Sequence, residues 1–271
     1  MVRTPYDRYR MAGVRNAVIL ILLMALASIP AIAGRGDKSG TAAAPELLIP
    51  VGASAIGQGG ASLATLTGLE SIYWNPAGLA RMKYSSAVMF SHSSYIADVG
   101  IDYFAAGTQI FGSAVLGLTV KSLSFGQIPV TTEDQPDGTG ETTSPTFLTI
   151  GGTFSRLVSD RISVGITANY VYEKMAEVNA STFAVNAGVQ YSGLGGIDGL
   201  SVGVALKNLG PALRYDGKGL ERIVEINDAL QPTEKLKLEA ASNDLPSTIE
   251  VGLGYSTQLA AQGQINFSST F

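Results

Sequence analysis

From about Lys83 onward the chain alternates, residue by residue, between large apolar side chains and small or polar ones. Sustained alternation of that kind belongs to a strand whose two faces meet different surroundings. The run Ile162 to Tyr172 shows it most clearly: Ile162, Val164, Ile166, Ala168, Tyr170 and Tyr172 fall on one face, with Ser163, Gly165, Thr167 and Asn169 on the other. The next run sets Phe183, Val185, Ala187, Val189 and Tyr191 against Thr182, Ala184, Asn186, Gly188 and Gln190. Leu200 to Lys207 and Ile249 to Ser256 follow the same rule, and weaker runs cover Ser85 to His92, Ile101 to Gln109, Ala114 to Ser122, Thr146 to Leu157 and Gln262 to Phe271. This makes about nine strands of bilayer-spanning length.

Composition decides which face meets water. The chain is 46% hydrophobic with 32 Gly and 15% charged residues, an unusual balance for a soluble domain. Beyond residue 33 no stretch approaches the roughly 20 continuous apolar residues of a membrane-spanning helix. In hydrocarbon an unpaired backbone group costs several kcal/mol, so strands can span only by pairing with one another in a closed ring. The expected fold class is therefore all-β: a transmembrane antiparallel β-barrel with its apolar faces toward lipid. Lys207 and Glu250 sit on polar faces and should point into the lumen, because a lipid-facing Lys at the midplane costs about 2–4 kcal/mol.

The N-terminus has the layout of a cleavable secretory signal: basic Arg3, Arg8, Arg10 and Arg15, an apolar run from Ala17 to Ile29, and small residues at Ala31-Ile32-Ala33. Cleavage after Ala33 removes four Arg and one Asp, taking the formal charge from −4 to −7. Together with the scattered Lys and Arg, this argues against nucleic-acid binding. The chain has no Cys, hence neither a disulfide framework nor a lipidated cysteine. The expected organisation is a signal peptide over 1–33, a flexible Gly- and Ala-rich stretch over 34–46, a compact segment without alternation over 47–82, and the barrel over 83–271. Ser159-Asp160-Arg161 reads as a tight turn and Gln127 to Ser144 as a long polar loop. Gly210 to Pro246 reads as a charged extramembrane connection.

Two stretches carry a family resemblance. The first is Gly52-Ala53-Ser54-Ala55-Ile56-Gly57-Gln58-Gly59-Gly60-Ala61-Ser62, continued by Ile72-Tyr73-Trp74-Asn75-Pro76-Ala77-Gly78-Leu79-Ala80. The second is Val202-Gly203-Val204-Ala205-Leu206-Lys207-Asn208-Leu209-Gly210-Pro211, followed by Leu245-Pro246-Ser247-Thr248-Ile249-Glu250-Val251-Gly252-Leu253-Gly254-Tyr255. Over Leu47 to Phe271 the chain resembles the PorV/PorQ family, whose barrels are similar to the fatty-acid transporter FadL. The resemblance implies that the N-terminal segment is a hatch in the barrel mouth, with Gly57, Gly59, Gly60, Asn75, Pro76, Ala77 and Gly78 as its motif residues. Independently of the family, Asn is a good helix cap and Pro fits the first helical position, so a helical turn is expected to begin at Pro76. The family barrels have more strands than this chain offers, and an odd count does not close simply, which leads to the expectation that the chain is C-terminally incomplete.

Enzyme chemistry finds little to work with. His92 is the only histidine, lying between Ser91 and Ser93 on a candidate strand, and no Ser-His-Asp set can be assigned to it. Gly57-Gln58-Gly59-Gly60 lacks the Lys-Ser/Thr ending of a phosphate loop, and Glu133, Asp134 and Asp137 lack calcium-loop spacing. No catalytic residue, cofactor or metal site is assigned. Trp74 and the strand-end Tyr residues read as an interfacial aromatic girdle.

The expected location is the outer membrane, in contact with its lipid. PorV resemblance implies a non-enzymatic component of a type IX-like secretion and attachment pathway that binds exported cargo proteins or secretion-machine subunits. FadL likeness implies instead transport of a hydrophobic small ligand. A structural barrel with neither role is the third reading.

Overall fold

In the computed structural model of the chain, the described residues are 40–224, 234–260 and 263–271. The signal-peptide reading, residues 34–39 of the flexible stretch and residues 225–233 of the charged connection lie outside them.

Nine long strands form one antiparallel meander. They are β1 (Ser86–Ser94), β2 (Gly100–Gln109), β3 (Ala114–Ser124), β4 (Thr146–Leu157), β5 (Ile162–Met175), β6 (Val178–Ser192), β7 (Leu200–Leu209), β8 (Thr248–Ala260) and β9 (Gly263–Thr270), each paired with its neighbours in sequence. The register of β5 and β6 runs without interruption from Ile162 opposite Tyr191 to Met175 opposite Val178, leaving Ala176 and Glu177 to make the turn. β6 outruns β7, and its protruding Val178 and Asn179 pair with the two-residue strand Asp216–Gly217. One end of the sheet carries connections 110–113, 158–161 and 193–199, and the other carries 95–99, 125–145, 176–177 and the described parts of 210–247, residues 210–224 and 234–247. The two long connections thus share an end.

Among the described residues the sheet is not closed into a barrel: β1 pairs with β2, β9 pairs with β8, and the two edge strands do not pair with each other. The reason is geometric. In a nine-strand meander the first and last strands run in the same direction, so an antiparallel ladder cannot be completed between them. Among the described residues, no helix is long and apolar enough to cross a membrane.

Burial along the strands is inverted relative to a soluble sheet. On β5, Ser163, Thr167, Asn169 and Glu173 are buried while Ile166 and Tyr170 are exposed. On β6, Thr182, Asn186 and Gln190 are buried while Phe183 is 62% exposed. The same outer face carries Val88, Phe90, Phe104, Leu118, Ile150, Val204 and Ile249. Tyr255 departs from the apolar-out pattern: it is buried next to buried Gly254.

What fills the inner face is the N-terminal segment. It contains a 3-10 turn at Pro45–Leu48, α1 (Ala53–Gly57), α2 (Ser71–Trp74) and a 3-10 turn at Pro76–Arg81. Ala43 N–H donates to the Asp244 carbonyl at the long-loop end, whereas Arg81 donates to the Arg161 carbonyl at the short-turn end. The segment therefore runs the length of the sheet before the chain enters β1. Val51, Leu69, Ile72, Leu79 and Met82 pack on Ile101, Tyr103, Val115 and Leu123 of β2 and β3. Ala44 and Leu47 pack on Val171, Ala184, Leu213 and Leu245. Within the stretch 34–46, Ala44 and Glu46 are buried, on an enclosed surface that composition does not reveal.

Candidate functional site: the filled interior

The Asn-Pro-Ala-Gly motif docks the segment. Asn75 Oδ1 accepts from Ala77 N–H at 3.1 Å, capping the turn that Pro76 opens. Its Nδ2 donates to the carbonyls of Leu63 (3.2 Å), Val189 (3.1 Å) and Val204 (3.4 Å), joining segment to sheet across β6 and β7. The sheet is cut away to receive it: a Cβ on Gly188 would overlap the Asn75 side chain, and one on Gly165 would overlap the Pro76 backbone. Ala77 is fully buried, and a Cβ on Gly78 would strike the Leu66 carbonyl and the Ser71 side chain.

Gly59 and Gly60 have φ of +65° and +76°, a left-handed pair that only glycine adopts cheaply, and Gly60 also lies under the Trp74 ring. Gly57 ends α1 with ordinary φ and open space, and nothing in the structure requires glycine there.

Two further side chains join segment and sheet. Gln190 Nε2 donates to the Leu63 and Leu66 carbonyls at 3.0 Å each, and the Ser155 hydroxyl accepts from Ala80 N–H at 3.1 Å. Gln190 was assigned to the polar face in the sequence, but nothing there marked its partners, which lie more than a hundred residues away.

Above this joint lies a charged chamber. Lys207 and Glu250 stand on paired strands with Nζ and Oε1 3.1 Å apart. Lys207 Nζ is also 4.5 Å from the Tyr73 ring centroid and 5.6 Å from that of Trp74. Lys121, on β3, donates to the carbonyls of Glu46 (2.7 Å) and Ile49 (2.5 Å) and lies 5.1 Å from the same Tyr73 ring. Burial, and then the nearby Glu250 carboxylate, hold the Tyr73 hydroxyl well above the usual tyrosine range. Trp74 is accordingly no girdle residue. It closes α2 inside the sheet, donating its indole N–H to the Val51 carbonyl at 3.0 Å.

Glu46 adds a second carboxylate cluster. Its carboxyl is pushed up to about 8, first by burial and then by the like charge of Glu173, with Lys121 pulling the other way. Tyr215, from the long connection, donates its hydroxyl to Glu173 Oε2. Sequence reasoning missed Lys121, Glu46 and Glu173: Lys121 lies on a weakly alternating strand, and Glu46 lies where no strand pattern exists.

His92, the one candidate for catalysis, lies on β1 with Nδ1 2.8 Å from Asp102 Oδ1, both residues on the outer face. Among the described residues no hydroxyl hydrogen-bonds the His92 ring, and no group of three or more His, Asp or Glu side chains is placed to hold a metal.

A family model described as type IX secretion system protein PorV matches residues 33–253 of the chain. No curated protein matches it.

Proposed function

Because the chain belongs to the PorV family of type IX secretion system proteins, we propose that it is a non-enzymatic outer-membrane β-barrel that binds exported proteins at its long-loop end. The inverted burial carries this reading: Phe183 and Ile166 face outward while Thr167, Asn169 and Lys207 face inward, the arrangement a strand adopts with lipid outside and a polar interior within. Residues 47–82 serve as the hatch. The long connections 125–145 and 210–247 face the cell exterior, and the short turns face the periplasm.

Protein binding is favoured over FadL-like transport of hydrophobic small molecules by the character of the interior. A transporter needs a pocket at the hatch large enough for an apolar molecule, whereas the chamber beside Tyr73 is only about 40 Å³.

Native mass spectrometry of the protein extracted from outer membranes in mild detergent tests the proposal, because it weighs protein partners and small ligands together. The expected result is co-migration of exported proteins or secretion-machine subunits, lost when residues 218–241 are replaced by a short Gly-Ser linker. A bare barrel carrying an apolar small molecule would overturn it in favour of transport.

A further inference from the structure

We propose that the interior cavity between Lys121 and Lys207 is a binding site for one small oxyanion, a carboxylate- or phosphate-sized group held in part by the Tyr103 hydroxyl. The inference stands apart from the secretion role, since it concerns what the interior holds rather than what the outer loops bind.

Charge balance is the first argument. Lys121 and Lys207 are 4% and 5% exposed and converge on a single aromatic ring, so two cations share one chamber. Glu250 compensates Lys207. Lys121 has spent two of its three N–H groups on neutral carbonyls, and among the described residues no carboxylate lies within salt-bridge distance of its Nζ. Burying an ammonium group with no carboxylate oxygen in contact is costly, because it has been taken out of water. A bound anion offsets that cost.

The donor set is the second, independent argument. The Tyr103 hydroxyl lines the cavity at 3% exposure, with no hydrogen-bond partner among the described residues. A buried hydroxyl left unpaired is disfavoured. Asn186 lines the same cavity with its Oδ1 already accepting from Asn208 N–H, which turns its amide N–H groups to other use. Tyr103, Lys121 and Asn186, donors from three different strands, thus line one cavity.

Size sets the ligand class. The cavity is about 40 Å³, several times the roughly 10–15 Å³ that one water occupies. That admits an oxyanion such as inorganic phosphate, sulfate or acetate, and leaves no room for an acyl chain. The same chemistry could come from a free ion or from the head group of a lipid, and a cavity of this size favours the free ion.

The test uses the full-length protein purified from membranes in detergent and exchanged into an anion-poor zwitterionic buffer. Thermal unfolding is followed while inorganic phosphate, sulfate or acetate is titrated at constant ionic strength. The expected result is a saturable rise in unfolding temperature, roughly 5–10 °C at a hundredfold excess over Kd, absent in Lys121→Met. Tyr103→Phe preserves the ring and removes one donor, so it should weaken affinity about fivefold to tenfold even if Lys121→Met fails to fold. Equal, non-saturating responses to every salt in wild type and Tyr103→Phe would overturn the site and leave a water-filled chamber. A phosphate-headed lipid co-purifying at stoichiometry and released only by delipidation would overturn the free-ion form.

Discussion

Asn75 and Gly188 compete for one space: the Asn75 side chain lies where a Cβ on residue 188 would stand, and from there its amide reaches the Val189 carbonyl at 3.1 Å. The small residue on the strand and the polar residue on the segment are a single device. It follows that Gly188→Val should expel the segment more completely than Gly152→Val, since a Cβ at Gly152 meets nothing within 4 Å. Limited proteolysis within residues 40–82 measures this, with cleavage expected in the first variant and resistance in the second.

Asn75→Asp keeps the cap acceptor for Ala77 N–H but removes the donor that serves Leu63, Val189 and Val204. Asn75→Ala removes the cap, worth about 1 kcal/mol, and the same three donations with it. Unsatisfied buried carbonyls add about 1–3 kcal/mol, and a carboxylate facing them adds repulsion. Urea unfolding should place Asn75→Asp well below wild type although its cap acceptor is kept; stability equal to wild type would mean that the cross-sheet donations contribute nothing.

The Lys207 to Glu250 pair predicts a non-additive pattern. Lys207→Met strands the Glu250 carboxylate in the interior, at a cost of about 3–5 kcal/mol, whereas replacing both residues by Met should recover most of that loss. A double variant no more stable than Lys207→Met would show that the pair is not coupled.

Glu46 predicts a pH dependence. Its ordinary value of 4.5 is raised to about 8 in the folded chain, so the folded state holds this proton more tightly than the unfolded one. The stability linked to it is fully present below about pH 4.5 and is lost as pH rises toward and through about 8. Unfolding temperatures at pH 5, 7 and 9 should fall for wild type, and fall less for Glu46→Gln. Parallel curves for the two proteins would mean that Glu46 does not carry this proton.

Much of the sheet was legible in the sequence, since alternation is a local property. Ile162 to Tyr172 and Thr182 to Tyr191 each write both faces of their strand without reference to any other part of the chain. The inward direction of Lys207 follows from the same count, against Val204 and Leu206 on the opposite side. That Lys207 meets Glu250 did not follow, because register depends on which residues face one another across two strands. Trp74 illustrates the limit most sharply: an aromatic ring suits a membrane interface and a packed interior equally well, and only its position on α2, against the Val51 carbonyl, separates the two. Lys121 and Glu46 meet 75 residues apart, a distance no periodicity spans.

The central claim is that the apolar outer face of this sheet meets lipid, and the absence of cysteine in the chain makes it directly measurable. Single cysteines at Ile166 and Phe183 on the outer face, and at Thr167 and Thr182 on the inner face, would be labelled with a small fluorophore and the protein reconstituted into vesicles containing a quencher attached to the acyl chains. The account predicts strong quenching at 166 and 183 and weak quenching at 167 and 182, repeating with period two along each strand. Equal quenching at neighbouring positions, or labels at 166 and 183 that respond instead to a water-soluble quencher, would contradict it.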